Sequence, residues 1–390
     1  MLIYNKQWLD NLLIRESVHE SFARGDLTGL ELAAIENSAP CGFYSPNIFV
    51  RSGLLALTCI IAAFSGGLFG LLIYELSATI CFLILGIAAY FVLEKMVRGH
   101  HHYRSGVDDA LLWISAGFFL ATFTELTETF FRTHVMLENF AYPLFVLALS
   151  FYLTLRFADM LMAVLCYFAM LTFLSVAWAE TLPWGTATLP FLIIFLSAGA
   201  YFAFVKMIHT EKLRYYRQCT DLLRTISLFT FYLAGNVYVI EQFGNEILYG
   251  EDRSNRELPL PYFFWAWTVI LPFLYITFAI KKKDQLLLRA GLILFAAAAL
   301  TTKNYCHVEN IEILLVLSGI LLLAIAWLLI RYLKTPKNGF TYQELEDGTS
   351  IGNSRVESLI ISNMPGDTPQ ASGSPFGGGS FGGGGSSGNF

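Results

Sequence analysis

The residues with the clearest chemical potential are a few carboxylates and one amide inside long apolar runs. Glu125 and Glu128 are three positions apart, so a helix would present both on one face. Ionisable side chains are costly to bury in a membrane and commonly mark ion or proton pathways there. Glu241 lies near the end of another apolar run, in which Asn236 is the most central strongly polar residue. These four residues predict a binding site in which carboxylates attract a cation and an amide is a polar ligand.

A purely structural interpretation of the same residues is also open. The outer flanks of the apolar runs carry few lysines and arginines, so the glutamates there would simply mark the membrane interface. An asparagine inside a membrane span often hydrogen-bonds across a helix interface rather than to a solute.

Sequence motifs for catalysis or cofactor binding are missing. The chain has no H-E-x-x-H, no Walker-type glycine loop and no C-x-x-C pair among its six cysteines. No histidine falls in the middle of an apolar run, so paired axial ligands for a buried haem are absent. The triplet His100, His101 and His102 lies in a polar stretch, where a solvated basic loop is favoured over a metal site. The sequence therefore predicts no catalytic residue, no metal ligand and no cofactor.

The elements that must position the four residues are membrane helices. Apolar residues make up 55% of the 390-residue chain and charged residues 14%, against about 45–50% and 25% in soluble domains. The net charge of −5 argues against a nucleic-acid binder. Roughly 20 apolar residues cross a bilayer. That window predicts ten spans, near 53–74, 77–96, 110–131, 139–157, 159–180, 187–207, 222–243, 259–280, 285–302 and 311–332.

The number of spans depends on how the run from 139 to 180 is divided. Only Arg156 and Asp159 interrupt it, and as a single helix it would reach about twice the thickness of the hydrocarbon core. Two spans joined by a tight turn are therefore predicted. With ten spans and both ends inside, 21 of the 25 lysines and arginines lie in inner segments, as the positive-inside rule requires. The predicted fold is an all-α polytopic membrane bundle.

The segments outside the spans divide the rest of the chain. Residues 1–50 are predicted to be a cytoplasmic helical region and 51–332 the membrane bundle, with no cleavable signal peptide. Residues 5–23 have helical apolar spacing, and Thr28 with Glu31 forms a capping-box pattern that opens a second helix. These helices are candidates for a protein partner, or else form a small cap packed on the bundle.

The end of the chain changes composition after the last span. Residues 333–371 are polar and residues 372–390 are a glycine-rich tail, which we predict to be disordered. Three phenylalanines punctuate the tail and are candidates for contacts with a partner, the alternative being a plain solvated tail: Phe376, Phe381 and Phe390.

Two resemblances to bacterial families follow from these features. The ending Gly-Gly-Gly-Ser-Phe-Gly-Gly-Gly-Gly-Ser-Ser-Gly resembles the tails of bacterial TPM-domain membrane proteins. A short helical region followed by about ten spans resembles uncharacterised bacterial families of predicted multi-pass membrane proteins. Both resemblances imply a bacterial protein of the inner (cytoplasmic) membrane, and neither supplies a catalytic or binding residue.

Two functions of different classes are compatible with this sequence. The first is a non-catalytic component of the bacterial envelope that contacts the lipid bilayer and binds a protein partner through its N-terminal helices or its tail. The alternative is a transporter or channel for a small solute or cation. Its path would run near spans three and seven, with Glu125, Glu128, Glu241 and Asn236 along it.

Overall fold

The fold is an all-α bundle, as the sequence predicts. The computed structural model describes residues 2–23, 25, 27–72, 77–130, 135–242 and 260–306, with a few helical positions between 316 and 331. Within these residues the regular elements are helices: α1 Lys6–Ala23, α2 Gly29–Ser38, α3 Ile48–Leu72, α4 Ala78–Gly99, α5 Val107–Phe130, α6 Val135–Phe157, α7 Met160–Thr181, α8 Gly185–Ile208, a 3-10 helix Glu211–Tyr216, α9 Arg217–Leu233, α10 Pro261–Lys282 and α11 Gln285–Cys306.

Eight of the described helices are long and apolar enough to cross a bilayer, which confirms the multi-pass architecture. They are α3 to α8, α10 and α11. Large apolar side chains such as Phe64, Phe195 and Phe202 are exposed on their outer surfaces, as contact with lipid requires. Ten spans and inner chain ends remain predictions. The predicted tenth span lies mostly outside the described residues, and the segments 333–371 and 372–390 lie wholly outside them.

Consecutive helices pack as antiparallel pairs: α4 with α5, α6 with α7, α8 with α9, and α10 with α11. The turn predicted at 156–159 is confirmed: α6 ends at Phe157 and α7 begins at Met160. Ala158 has a left-handed backbone, and Asp159 accepts a 2.8 Å hydrogen bond from the Met162 N–H at the start of α7. Lys283 and Asp284 close the α10–α11 turn in the same way.

Predicted span seven, 222–243, departs from a regular helix. Helix α9 ends at Leu233, residues 234–236 form a turn, and helical structure resumes over 237–242. The whole segment nevertheless runs alongside α10 and α11. Near its start, Arg224 Nη2 lies 2.5 Å from Asp284 Oδ2 in the α10–α11 turn. At its other end, Glu241 accepts a hydrogen bond from the Tyr305 hydroxyl near the end of α11.

The N-terminal residues 2–44, called the cap here, pack against one end of the bundle, the cap end. The predicted capping box is confirmed, because Glu31 Oε2 accepts from the Thr28 N–H at 2.9 Å and Thr28 Oγ1 accepts from the Glu31 N–H at 3.4 Å. The Ile3 N–H donates to the Arg156 carbonyl at 3.0 Å, and the Tyr44 N–H donates to the His101 carbonyl at 3.0 Å. The cap is thus fastened to two inter-helix turns.

The loop between α4 and α5 depends on Gly106, which gives a test of the packing at the cap end. Gly106 has φ +90°, and an added Cβ would lie 2.1 Å from the Arg51 carbonyl oxygen of α3. We expect Gly106→Ala to lower the free energy of unfolding by about 1–3 kcal/mol. Gly67→Ala is the matched control, because a Cβ there meets no atom within 4 Å. Melting followed by tryptophan fluorescence in detergent measures both, and equal stability of the two variants would contradict this account.

Candidate functional site

The structure places the four sequence-predicted residues in two parts of the bundle. Glu125 is half-buried and Glu128 exposed near the end of α5, which packs against α3, α4 and α6. Asn236 lies in the interruption of span seven and is only 2% exposed. Glu241 follows it and contacts Tyr305 of α11. Asn236 and Glu241 therefore belong to the group formed by α9, α10 and α11, and a path shared with the α5 carboxylates stays a prediction.

Asn236 is the centre of a buried polar cluster that joins three helices. Its Nδ2 group donates to the Tyr232 hydroxyl at 3.1 Å and to Thr301 Oγ1 of α11 at 3.2 Å. Its Oδ1 accepts from the Val239 N–H at 3.2 Å and so caps the resumed helix. The amide is thus hydrogen-bonded on both sides, as a polar group in an apolar bundle must be.

Trp267 of α10 packs closely against the interruption. An added Cβ at Gly235 would lie 2.4 Å from Cδ1 and Nε1 of the Trp267 indole, so only glycine allows this close approach. The N–H groups of Gly235 and Asn236 bond carbonyls three residues back, at 3.1 and 3.2 Å, which tightens and ends α9.

Thr268 of α10 supplies the acceptor that the broken helix lacks. Its hydroxyl accepts from the Val237 N–H at 3.1 Å, while donating to the Phe264 carbonyl of its own helix at 2.8 Å. The Thr268 carbonyl is available because Pro272, four residues on, has no N–H to donate to it. The Tyr232 hydroxyl fills that position, donating to the carbonyl at 3.4 Å. The backbone group left unpaired in each helix is thus hydrogen-bonded by a side chain of the other helix.

A second polar region, which the sequence analysis does not predict, lies at the cap end. A partly open cavity of about 20 Å³, room for about one water molecule, lies there. Its charged and hydroxyl-bearing lining residues come from the cap and from four parts of the bundle: Tyr4, Arg51, Arg104, Asp108, Asp109 and Asp159. The available signal is the pair Asp108 and Asp109, which directly precedes predicted span 110–131.

Most of the charges around this cavity are paired. Asp109 Oδ2 accepts from both Nε and Nη2 of Arg51, at 2.9 and 2.7 Å, and so joins α5 to α3. Asp108 accepts from the Ser105 N–H at 2.8 Å and the Arg104 N–H at 2.7 Å, which fixes the loop. The Arg104 guanidinium donates to Gln218 at the start of α9. Arg104 therefore connects the cavity, at the start of α5, with the first turn of α9.

Burial shifts the titration of the loop residues around the cavity. Burial, with Asp108 as the next contribution, raises the pKa of the Tyr4 hydroxyl well above its usual value. Burial likewise raises the pKa of Tyr103. The pKa of His102 is lowered by burial, although the nearby Asp108 opposes the shift. Burial thus favours the neutral form of these side chains, while Arg51 and Asp109 beside them form an ion pair.

The histidine triplet does not converge on a metal position. His101 packs edge-on against the Trp8 ring of the cap at 4.8 Å, and His102 Nδ1 lies 2.7 Å from Ser105 Oγ. Among the residues that the structure describes, no group of three His, Cys, Asp or Glu side chains could hold a metal ion.

Comparison of the chain with protein-family models, with curated proteins and with solved structures finds no match. The functional argument therefore rests on the geometry of the two polar regions.

The Thr268–Val237 bond can be tested with a matched pair of threonines on α10. Thr277 makes the same 2.8 Å bond to its own helix, to the Phe273 carbonyl, but is exposed. We expect Thr268→Val to lower the free energy of unfolding by about 1–2 kcal/mol, because the buried Val237 N–H loses its acceptor. Thr277→Val should be nearly neutral. Reversible unfolding in mixed micelles measures both, and a silent Thr268→Val would show that the bond does not hold the interruption.

The lowered pKa of His102 predicts a pH dependence of stability. At this site the folded state binds fewer protons than the unfolded state. Neutral His102 therefore contributes its full share to the free energy of unfolding at pH values above about 6.5, the pKa of histidine in the unfolded chain. This stabilisation is lost as the pH falls through the lowered pKa of the folded state. We expect the melting temperature to drop on acidification and His102→Gln to reduce that drop. His209→Gln, at an exposed histidine after α8, is the control and should leave the drop unchanged.

Proposed function

We propose that the protein transports or conducts a small cation across the membrane, along a path that follows the 217–242 segment. The observation that carries this proposal is the interruption at Gly235–Asn236, a non-helical turn packed against α10 and α11, which are long and apolar enough to span a bilayer. Non-helical backbone at membrane depth is tolerated where it is buried in protein or lines a cavity, and interrupted helices bind substrates in many transporters.

The composition of α9 supports the same assignment. Helix α9 is shorter and more polar than the eight helices that could cross a bilayer, and it is not one of them. Its polar residues Thr220 and Ser227 are nevertheless buried, on a helix packed against α7, α8 and α11. A polar helix inside an apolar bundle is costly, and such helices are retained where polar groups line a pathway.

The polar groups along the segment are of the kind that a cation requires. Oxygen ligands suit hard cations, and the interruption supplies the Asn236 amide with the hydroxyls of Tyr232, Thr268 and Thr301. Glu241 adds a carboxylate at one end. At the other end, the carboxylates of the cap-end cavity border the start of α9.

We further propose the orientation and membrane from the charge pattern and the resemblance to bacterial multi-pass families. The cap end faces the cytoplasm, because the inner segments of the predicted topology carry most of the lysines and arginines. The membrane is the bacterial inner membrane.

Flux measurements on reconstituted protein test the transport function. Proteoliposomes of the full chain are given inward gradients of Na⁺, K⁺ or H⁺, each read by a trapped ion-sensitive dye. We expect at least one cation to enter faster than into protein-free vesicles. Asn236→Ala should slow that entry about tenfold, since losing a ligand worth about 1.4 kcal/mol changes a rate by that factor.

Asn139→Ala is the matched control for this experiment. Asn139 is an exposed asparagine of α6 whose Nδ2 donates to Glu180 at 3.3 Å, away from the interruption. It should leave the flux unchanged. Folded, inserted protein that passes none of the three cations would refute the transport function.

The second candidate function, partner binding by a non-catalytic envelope component, is favoured by one feature of the cap. Leu30 of α2 is 87% exposed, and Ile14 and Phe22 of α1 are also exposed, although the cap lies beyond the apolar helices. A photoreactive residue at Leu30 in source-cell membranes should crosslink to one defined protein. Crosslinks to lipid alone would exclude a partner at this surface.

A further inference from the structure

The cap-end cavity is closed on one side by the first residues of the cap. Tyr4 lines the cavity together with Arg51, Asp109 and Asp159, and is 8% exposed. Its ring packs edge-to-face against Tyr103 at 4.9 Å and Phe43 at 6.0 Å. An aromatic side chain from outside the bundle therefore covers a charged cavity at the end of the membrane helices.

Few polar bonds hold this covering segment. The Ile3 N–H donates to the Arg156 carbonyl at 3.0 Å, on one side of Tyr4. On the other side, the Asp10 carboxylate accepts from Arg214 Nη2 at 2.9 Å, and this pair is partly exposed. Exposed ion pairs contribute little to stability. The segment is therefore held mainly by apolar packing, with Tyr4 and Leu9 in the buried cluster at the cap end. A short segment of this kind can open locally while the rest of a protein stays folded, at the cost of exposing that packing.

Both attachment points belong to turns that border the proposed path. Arg156 lies in the last turn of α6, directly before the cavity-lining residues 157–159. Arg214 lies in the 3-10 helix that leads into α9. Movement of the segment would therefore uncover the cavity at the point where α5 and α9 begin.

We propose that residues 2–10 form a displaceable gate over the cap-end cavity, with Tyr4 as its stopper and the Asp10–Arg214 pair as its latch. The gate deepens the proposed function, because it would control entry to the path along α9. Its opening is nevertheless measurable without any flux.

Cys219 is a native reporter for the opening of the cavity. Its thiol is buried and donates to the carbonyl of Ala158, a cavity-lining residue, at 3.2 Å. In the full-length chain the other five cysteines are replaced by serine, namely Cys41, Cys59, Cys81, Cys166 and Cys306. The rate at which a small, charged methanethiosulfonate reagent modifies Cys219 in nanodiscs then reports exposure of the cavity.

The gate predicts that two variants accelerate this modification. Tyr4→Ala removes the stopper, and Asp10→Asn weakens the latch without touching the apolar packing. We expect Tyr4→Ala to raise the rate about tenfold or more, because the rate follows the open population, and Asp10→Asn to raise it by a smaller factor. Phe22→Ala is the matched control, since Phe22 is an exposed aromatic residue of α1 away from the cavity. It should leave the rate unchanged.

A second reporter separates gating from general loosening. A chain that keeps only Cys166, in the middle of α7, should be modified at the same rate with and without Tyr4→Ala. Acceleration at both cysteines, or no acceleration at Cys219, would refute the gate. Faster Cys219 modification in a protein that carries no cation would refute the transport function and leave the gate standing.

Discussion

The constraint on which this structure depends is that backbone hydrogen bonds must be satisfied inside the protein wherever water is excluded. A regular helix meets it alone, but the 217–242 segment does not, because it turns at Gly235 and Asn236. The missing partners come from other helices: the Thr268 hydroxyl accepts the Val237 N–H, and the Asn236 side chain accepts the Val239 N–H. Pro272 creates the complementary vacancy in α10, which the Tyr232 hydroxyl fills. Two irregular helices thus form one satisfied unit, because each supplies a partner that the other lacks.

The charged residues lie in a different part of the bundle from these neutral polar groups. The interruption is built from amide and hydroxyl groups, whereas the aspartates and arginines around the cavity lie in helix-end turns at the cap end. Desolvating an ion costs several kcal/mol unless it is paired, and helix ends offer both partners and proximity to water. Asp108 and Asp159 accept backbone N–H groups at the starts of α5 and α7, and Asp109 is paired with Arg51. Most of these charged residues therefore serve to stabilise the turns between helices. That role does not require the cavity covered by Tyr4.

The all-α multi-pass fold could be predicted from the sequence, because apolar run length and turn residues are local properties. The tight turn at 156–159 and the Thr28–Glu31 capping box were found for the same reason. The interruption was not, since an asparagine or glycine in a span is compatible with a continuous helix. The Trp267 ring packs against Gly235 at this point, a contact with a helix some 30 residues away that the local sequence does not reveal. The cavity was missed because its lining converges from the cap, α3, α5 and the α6–α7 turn. Asn236, which the sequence predicts as a binding residue, lies at the centre of a buried polar cluster, and its role in binding stays a prediction.

Helix α9 connects these two regions, and its composition explains why it needs its neighbours. It is too polar to be stable in lipid by itself, so its position depends on burial against α7, α8 and α11. Its hydroxyl side chains reduce that cost by bonding carbonyls of their own turn, as Thr220 does to Arg217 and Ser227 to Arg224. Such bonds use the hydrogen of each hydroxyl and leave an oxygen lone pair available as an acceptor. A buried helix stabilised in this way keeps hydroxyl oxygens that can accept a further bond, and the proposed cation path would use these oxygens as ligands.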